Sequence, residues 1–313
     1  MTLLLHNIIP HLEATIHGVV ATTEIDTISI DSRSMQNNVN TLFFALVGPN
    51  YDAHQYIPEL IAQGVQNFVV TNIPEHLLNK ATFFVVEDTK VALQKFAIYY
   101  RSLFDFQVIG ITGSNGKTIV KEWLNFLLSP DYNIIRSPKS YNSQIGVPLS
   151  VIAINEKHNL GIFEAGISTV DEMQTLQKII QPTIGLLTNI GSAHDEGFEN
   201  IGEKIKEKLQ LFKDVDVLIY NKNKTIEQFL PSLGIPTSSI RNLFSWSCKD
   251  KEADVFIRKN VVLDKTHLMV HYQKENFEVK VPFLDDASVE NSIQCLMVLL
   301  YFGYSFETIE NRM

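Results

Sequence analysis

The chain has 313 residues, of which 45% are hydrophobic, and a net charge of −9, so it has material for two cores and no long basic block. That balance argues against a nucleic-acid surface but leaves room for a local basic pocket for a phosphorylated small molecule. Only two cysteines occur, Cys248 and Cys295, which argues against a disulfide framework and a cysteine zinc site.

The opening stretch MTLLLHNIIPHLEATIHG lacks an early positive region, and Pro10 and His11 interrupt its apolar run. It reads as an amphipathic helix and not as a signal peptide. No run of about 18 uninterrupted apolar residues follows, so no membrane span is expected and the protein reads as soluble and cytoplasmic. Short apolar strands are predicted at 41–48, 67–71 and 83–88, with helices at 54–64 and 89–104. The second helix has Val91, Phe96, Tyr99, Tyr100 and Leu103 at roughly helical spacing. A new strand begins at once, which places a domain boundary between residues 104 and 105.

Beyond it, strands are predicted at 106–113, 149–154, 160–166, 184–191 and 215–221, most of them separated by helical stretches. Near-continuous Val/Ile/Leu runs imply strands buried on both faces, hence a mainly parallel sheet between helix layers. The stretch 253–283 alternates polar and apolar residues between short turns and predicts an antiparallel meander. A final helix starts near Ser288. The fold class is therefore α/β: a small domain over 1–104 and a larger one over 105–313 with a mainly parallel sheet and an antiparallel segment. The chain stops at FETIENRM with no predicted terminal strand or cap, an ending that reads as cut.

GITGSNGKT, residues 110–118, carries the strongest chemical signal. A glycine-rich turn between a hydrophobic strand and a helix lets backbone N–H groups surround phosphate oxygens, and the helix adds its positive end. The turn is Gly113-Ser114-Asn115-Gly116. Lys117 would reach the β- and γ-phosphates of ATP, and Thr118 would hold Mg2+ through its hydroxyl. The usual first glycine of the loop is replaced by Ile111.

Ligands of parallel sheets bind beyond the carboxyl ends of the strands. Glu164 follows one predicted strand, and His194 lies just after another. A carboxylate suits Mg2+, and an imidazole is better tolerated by Mn2+. The helix at 200–213 has Ile201, Ile205, Leu209 and Phe212 at helical spacing. Lys208 borders that stripe, Lys204 and Lys206 lie farther from its centre, and on pattern alone Lys208 is a solvated helix lysine.

In order, these segments resemble the Mur ligases, ATP-dependent amide-forming enzymes of peptidoglycan precursor synthesis. DSRSM (31–35) is similar to the family's uridine-side motif, and LFFALVGPNYDAHQYI (42–57) to its second amino-terminal motif, with Ala53 in place of a glycine. EAGIS (164–168), TNIGSAHDEGF (188–198), EKLQLF (207–212) and SVENSI (288–293) follow in the family's order. SYNSQIGVPLS (140–150) resembles the asparagine-rich segment of members that join D-Ala-D-Ala to UDP-N-acetylmuramoyl-tripeptide. The resemblance implies a UDP-substrate domain over 1–104 and an ATP domain over 105–313. It implies substrate contacts at Ser32, Arg33, Asn142 and Gln144, and an adenine contact at Asn291. Thr118 and Glu164 would hold one metal, and His194 with a carbamylated Lys208 a second. Lys117, Lys208 and His194 are then the catalytic candidates. Asp52 and His54 fall in the second motif without an assigned role. YNKNK (220–224) lacks an acidic residue that members often carry, which puts nucleotide contacts there in doubt.

Further expectations follow from the resemblance. The family's carboxy-terminal domain is missing, so this chain alone would bind nucleotide weakly and ligate poorly. Related forms are often fused to an alanine racemase, of which the chain has no trace. A member adding diaminopimelate or lysine as third residue, a folylpolyglutamate synthetase, and a non-catalytic nucleotide-binding scaffold remain alternatives.

Overall fold

The computed structural model describes residues 2–18, 24–33, 39–191, 197–233 and 243–313. Two compact units emerge: Met1–Phe104 with Val151–Glu156, and Asp105–Ser150 with Lys157–Met313. Among the described residues no helix is long and apolar enough to cross a membrane.

In the first unit, β1 (Leu3–Leu4) pairs with β3 (Glu24–Ile25), and α1 (Leu5–Leu12) buries Leu5, Ile8 and Leu12 on one face. Pro10 lies inside α1 on its exposed side. The main sheet has the order β2-β9-β8-β5-β4. Its strands are β2 (Thr15–His17), β4 (Thr27–Ser29), β5 (Thr41–Phe44), β8 (Asn67–Val70) and β9 (Thr82–Val85). Only β2 runs antiparallel to its neighbour. β5 and β8 are buried at every position, as expected of strands covered on both faces. The hairpin β6 (Val47–Gly48) and β7 (Tyr51–Asp52) leads into a 3-10 turn and α2 (Ile57–Ala62). α3 (Thr89–Arg101) starts where Asp88 Oδ1 accepts from the N–H of Lys90 at 2.7 Å and of Val91 at 3.1 Å, an N-cap that ends the preceding strand segment.

His54 has a structural place here. Its Nε2 accepts from Thr71 N–H at 3.0 Å, which leaves the proton on Nδ1, 2.6 Å from Asp52 Oδ1. The imidazole thus ties the turn after β7 to the end of β8.

The second unit is built on one nine-stranded sheet of order β11-β12-β10-β13-β14-β15-β16-β17-β18. Its strands are β10 (Gln107–Thr112), β11 (Ile134–Arg136), β12 (Leu160–Glu164), β13 (Ile184–Leu187), β14 (Val217–Asn221), β15 (Leu243–Ser247), β16 (Val255–Val262), β17 (Lys265–Tyr272) and β18 (Glu275–Val281). All pairs are parallel as far as β16, after which β16–β17–β18 form the expected antiparallel meander. The helices are α4 (Lys117–Leu128), α5 (Gly146–Ile152), α6 (Glu172–Ile180), α7 (Ile201–Leu209), α8 (Lys224–Glu227), α9 (Asp286–Tyr301) and α10 (Phe306–Arg312).

Alternation along β10 and β13 assigns the two faces. Ile109, Ile111, Ile184 and Leu186 join one core with Val120 and Leu124 of α4 and Ile293 and Leu296 of α9. Gly110 and Gly185 point the other way. A Cβ at Gly110 would stand 2.8 Å from Pro182 Cβ, and one at Gly185 would overlap the Phe212 ring. These two bare positions let the turn 210–212 lie flat on the sheet, and that turn continues α7. Glycine here sets the height of α7 above the strand ends.

Two expectations need correction. The run 149–154 is not a strand, because residues 146–152 are α5 and Ser150 Oγ donates to the Gly146 carbonyl one turn back at 2.7 Å. A short, mostly apolar run does not separate a buried helix from a buried strand. The predicted strand 184–191 stops at Leu187.

Gly185→Ala should destabilise the chain by about 1–3 kcal/mol through overpacking against Phe212. Urea unfolding followed by circular dichroism measures it, and a change below about 0.5 kcal/mol would show that the ring swings aside freely.

Candidate active site

β10 lies between β12 and β13, and the chain order reverses there: successive strands go to one side up to β12 and to the other from β13. The crevice beyond the carboxyl ends of such strands is the place where ligands bind in open α/β sheets. Three segments of this chain enter it.

The first is the turn after β10. Gly113 has φ +149° and Gly116 φ +82°, conformations that L side chains rarely adopt. A Cβ at Gly113 would overlap Thr188 Oγ1, and one at Gly116 would overlap Asn291 Oδ1. Gly116 is the N-cap of α4 and contributes no capping side chain, so the first turn of a 12-residue helix keeps its positive end open for an anion.

The second is the segment after β13, which bends back and laces the turn. Ser114 N–H donates to Asn189 O at 2.8 Å, and Asn115 N–H to Asn189 Oδ1 at 3.0 Å. Thr188 Oγ1 donates to Asn115 O at 2.6 Å. Ser114 Oγ donates to Gly191 O at 3.1 Å and lies 2.9 Å from Gly191 N. Gln294 of α9 holds the root of this segment through Leu187 O at 3.2 Å and Thr188 O at 2.9 Å.

The third is Glu164, the last residue of β12, whose side chain is 0% exposed. Its Oε2 accepts from Thr118 Oγ1 at 2.8 Å, and its Oε1 lies 3.3 Å from Lys121 Nζ. Lys121, fully buried, also donates to the carbonyls of Ser137, at 2.7 Å, and Lys139. This lysine was not singled out in the sequence, although it sits one turn beyond Lys117 on the same helix face.

Lysines close the crevice. Lys117 Nζ donates to Gly113 O at 2.8 Å, and Lys208 Nζ reaches the same oxygen at 3.3 Å. Lys204 Nζ donates to Gly191 O at 2.6 Å. The pattern-based reading of Lys208 as solvated is therefore overturned: it is 2% exposed and Lys204 is 0%. Both stand beside the stripe of Ile205 and Leu209 and share its direction into the unit, a periodicity that apolar residues alone did not reveal. Burial pushes the Lys208 ammonium down to about 7, with the charges of Lys117 and Lys204 adding to the effect. Lys117 is lowered as well, mainly by burial, with Glu164 opposing and Lys204 reinforcing the shift.

Asn291, almost buried, lies against Gly116, and beside it opens a cleft of about 290 Å³ lined by Thr188, Asn189, Ile190, Asn221, Asn223 and Glu290. The YNKNK segment thus contributes two asparagines to the cleft where an acid was missing. Asn142 packs on Gly166, whose N–H donates to Asn142 O at 2.8 Å, and Gln144 Nε2 donates to Glu172 O at 3.1 Å. Ser32 and Arg33 belong to the first unit, where they line a separate cavity of about 340 Å³ with Asp31, Tyr51 and Tyr56. Arg33 Nε and Nη2 grip Asp31 Oδ1 and Oδ2, both at 2.9 Å, and these bonds hold the Asp31 carboxyl at about 2. His194 lies outside the described residues.

A parallel sheet, a glycine turn, an open helix N-terminus and a Lys-Thr pair at a switch point define a P-loop α/β protein. The chain belongs to the Mur ligase family, since the Mur ligase middle domain matches residues 111–299. A UDP-N-acetylmuramoyl-tripeptide--D-alanyl-D-alanine ligase of Rickettsia prowazekii is 27% identical over 293 residues, 93% of this chain and 65% of the relative. The chain thus spans about two thirds of that relative's length. A crystal structure of MurF from Acinetobacter baumannii superposes with a TM-score of 0.86 at 24% identity, covering 100% of this chain and 68% of the other. MurF from Thermotoga maritima in complex with ADP gives 0.76 at 22% identity over 91% of this chain and 65% of that one. At such identities the likeness concerns the fold.

Lys208 makes a pH prediction. Its ordinary value is 10.5 and its native value about 7, so between them the unfolded chain holds one more proton and stability rises with pH. Below about pH 7 the whole penalty of a buried ammonium is present. Lys208→Met should therefore be more stable than the parent at pH 6, by on the order of a few kcal/mol, and the gain should shrink toward pH 10. Denaturant unfolding in CO2-free buffer measures it, and an equal difference at both pH values would contradict the assignment.

Proposed function

We propose that this chain carries the UDP-substrate and ATP-binding parts of a cytoplasmic ligase that joins D-Ala-D-Ala to UDP-N-acetylmuramoyl-tripeptide in peptidoglycan precursor synthesis. The observation that carries the reading is the convergence of the open turn 113–116, the Thr118–Glu164 pair and the lysines 117, 204 and 208 at one strand-end crevice. The name carried by the Rickettsia prowazekii relative, matched along 93% of this chain, supports the choice of substrates. So does the asparagine-rich segment that places Asn142 beside the end of β12.

An amide does not form from a free carboxylate at neutral pH because oxide does not leave. The tripeptide carboxylate would attack the γ-phosphorus of ATP, giving an acyl phosphate and ADP. The amine of D-Ala-D-Ala then adds to the acyl carbon, loses a proton, and the tetrahedral intermediate expels phosphate. Phosphoryl transfer is mainly positioning and charge neutralisation. The N–H groups of Gly116, Lys117 and Thr118 at the start of α4 would hold the phosphates, and Lys117 would exchange its Gly113 carbonyl for the β/γ oxygens. Asn291 and the neighbouring cleft would receive the base. Ser32 and Arg33 would meet the uridine diphosphate, with Asn142 and Gln144 on the sugar or peptide side.

Thr118 and Glu164 fit a hard cation such as Mg2+: both offer oxygen, and their 2.8 Å hydrogen bond already brings the two donors together. Bound there, the ion would neutralise phosphate charge. Among the described residues no group of three or more His, Cys, Asp or Glu gathers. A second ion would therefore require a carbamylated Lys208 together with His194. The amine of Lys208, titrating near neutrality, is suited to react with CO2.

The complete gene product, given ATP, UDP-N-acetylmuramoyl-tripeptide and D-Ala-D-Ala, should form one amide per ADP and phosphate released, as read by mass spectrometry. Lys117→Ala should lower kcat/KM by on the order of a hundredfold or more. Absence of amide with ATP intact, or preferred use of diaminopimelate or lysine with the shorter dipeptide acceptor, would overturn the assignment.

A further inference from the structure

We propose that Lys204 is a second fixed cation of the polyphosphate site, which positions the phosphates together with Lys117 and the turn 113–116. The inference rests on the nucleotide-binding reading above and deepens it.

Lys204 and Lys208 are one turn apart on α7 and both point into the unit, whereas Lys206 between them is exposed. Burying an ammonium costs several kcal/mol unless charge or hydrogen bonds compensate it. Setting it near the Lys117 ammonium, which is held on the same turn through Gly113 O, raises that cost. Such a cluster becomes favourable when a multiply charged anion enters among the lysines. One acceptor of Lys204 also points to this role. Gly191 O accepts from Lys204 Nζ at 2.6 Å and from Ser114 Oγ at 3.1 Å. The carbonyl keeps a donor when the ammonium leaves it, so Lys204 can turn to a phosphate oxygen without stranding a buried acceptor. Ser114 belongs to the glycine turn, so the shared carbonyl puts the ammonium at the rim of the phosphate seat. Lys117, bonded to Gly113 O, is poised in the same way on a main-chain oxygen of the turn.

The test uses this chain, titrated calorimetrically with ADP and with inorganic tripolyphosphate. Lys204→Met should weaken both by about ten- to a hundredfold, as expected for loss of one charge-assisted hydrogen bond. The slope of log affinity against log salt should become shallower. Adenosine, which lacks phosphate and is followed by ligand-observed NMR, should bind as before. Lys206→Met, altered on the exposed face, should match the parent throughout. If Lys204→Met does not fold by circular dichroism, Lys204→Gln and Lys204→Arg carry the test, with binding lost in the first and retained in the second. Unchanged ADP and tripolyphosphate affinities, or an equal loss for adenosine, would overturn the proposal. Failure of the parent chain to bind any of these ligands would instead overturn the nucleotide-binding reading itself.

Discussion

The carbonyl of Gly113 accepts from two ammonium groups, one from the helix that follows it and one from a helix nearly a hundred residues later. That single oxygen fixes how the site is assembled. It requires a turn tight enough to aim a carbonyl into the crevice, hence glycine at φ +149°. It requires Thr188 to stand where a side chain on residue 113 would otherwise be. It also requires α7 to lie close to the sheet, which the bare faces of Gly110 and Gly185 permit.

Electrostatics follow from the same geometry. A protein of net charge −9 concentrates buried positive charge at one strand-end crevice. Glu164 balances Lys121 and supports Thr118 on one side, while Lys117, Lys204 and Lys208 crowd main-chain carbonyls on the other. Stability and anion binding oppose each other in such an arrangement, because each buried ammonium costs free energy until an anion arrives. In the first unit the balance differs: Arg33 is already paired with Asp31 at the protein surface.

Much of the architecture was legible beforehand. The Val/Ile/Leu runs at 107–112, 160–164, 184–187 and 217–221 are parallel strands, and the alternating stretch near 253–283 is the meander. Short strands such as β11 at the sheet edge and β15 inside it were not foreseen, because three to five residues flanked by polar ones give little periodic signal. α5 was misread because residues 149–154 are apolar but for Ser150, and its helical character is decided by what packs around it.

By itself the sequence determined the glycine turn, its strand and its helix, since that motif is local: backbone conformation, glycine and helix start all lie within nine residues. It also placed Glu164 toward the carboxyl end of a strand, although the predicted strand runs to Gly166 and the observed one stops at Glu164. Only the tertiary structure decided which lysines matter. Lys121, Lys204 and Lys208 look like ordinary helix cations in a linear reading, and Gln294 looks like an incidental polar residue in an apolar helix. Their roles come from carbonyls brought to them by segments up to about a hundred residues away. Side-chain direction at a helix edge is set by packing between layers, and no short-range pattern encodes that.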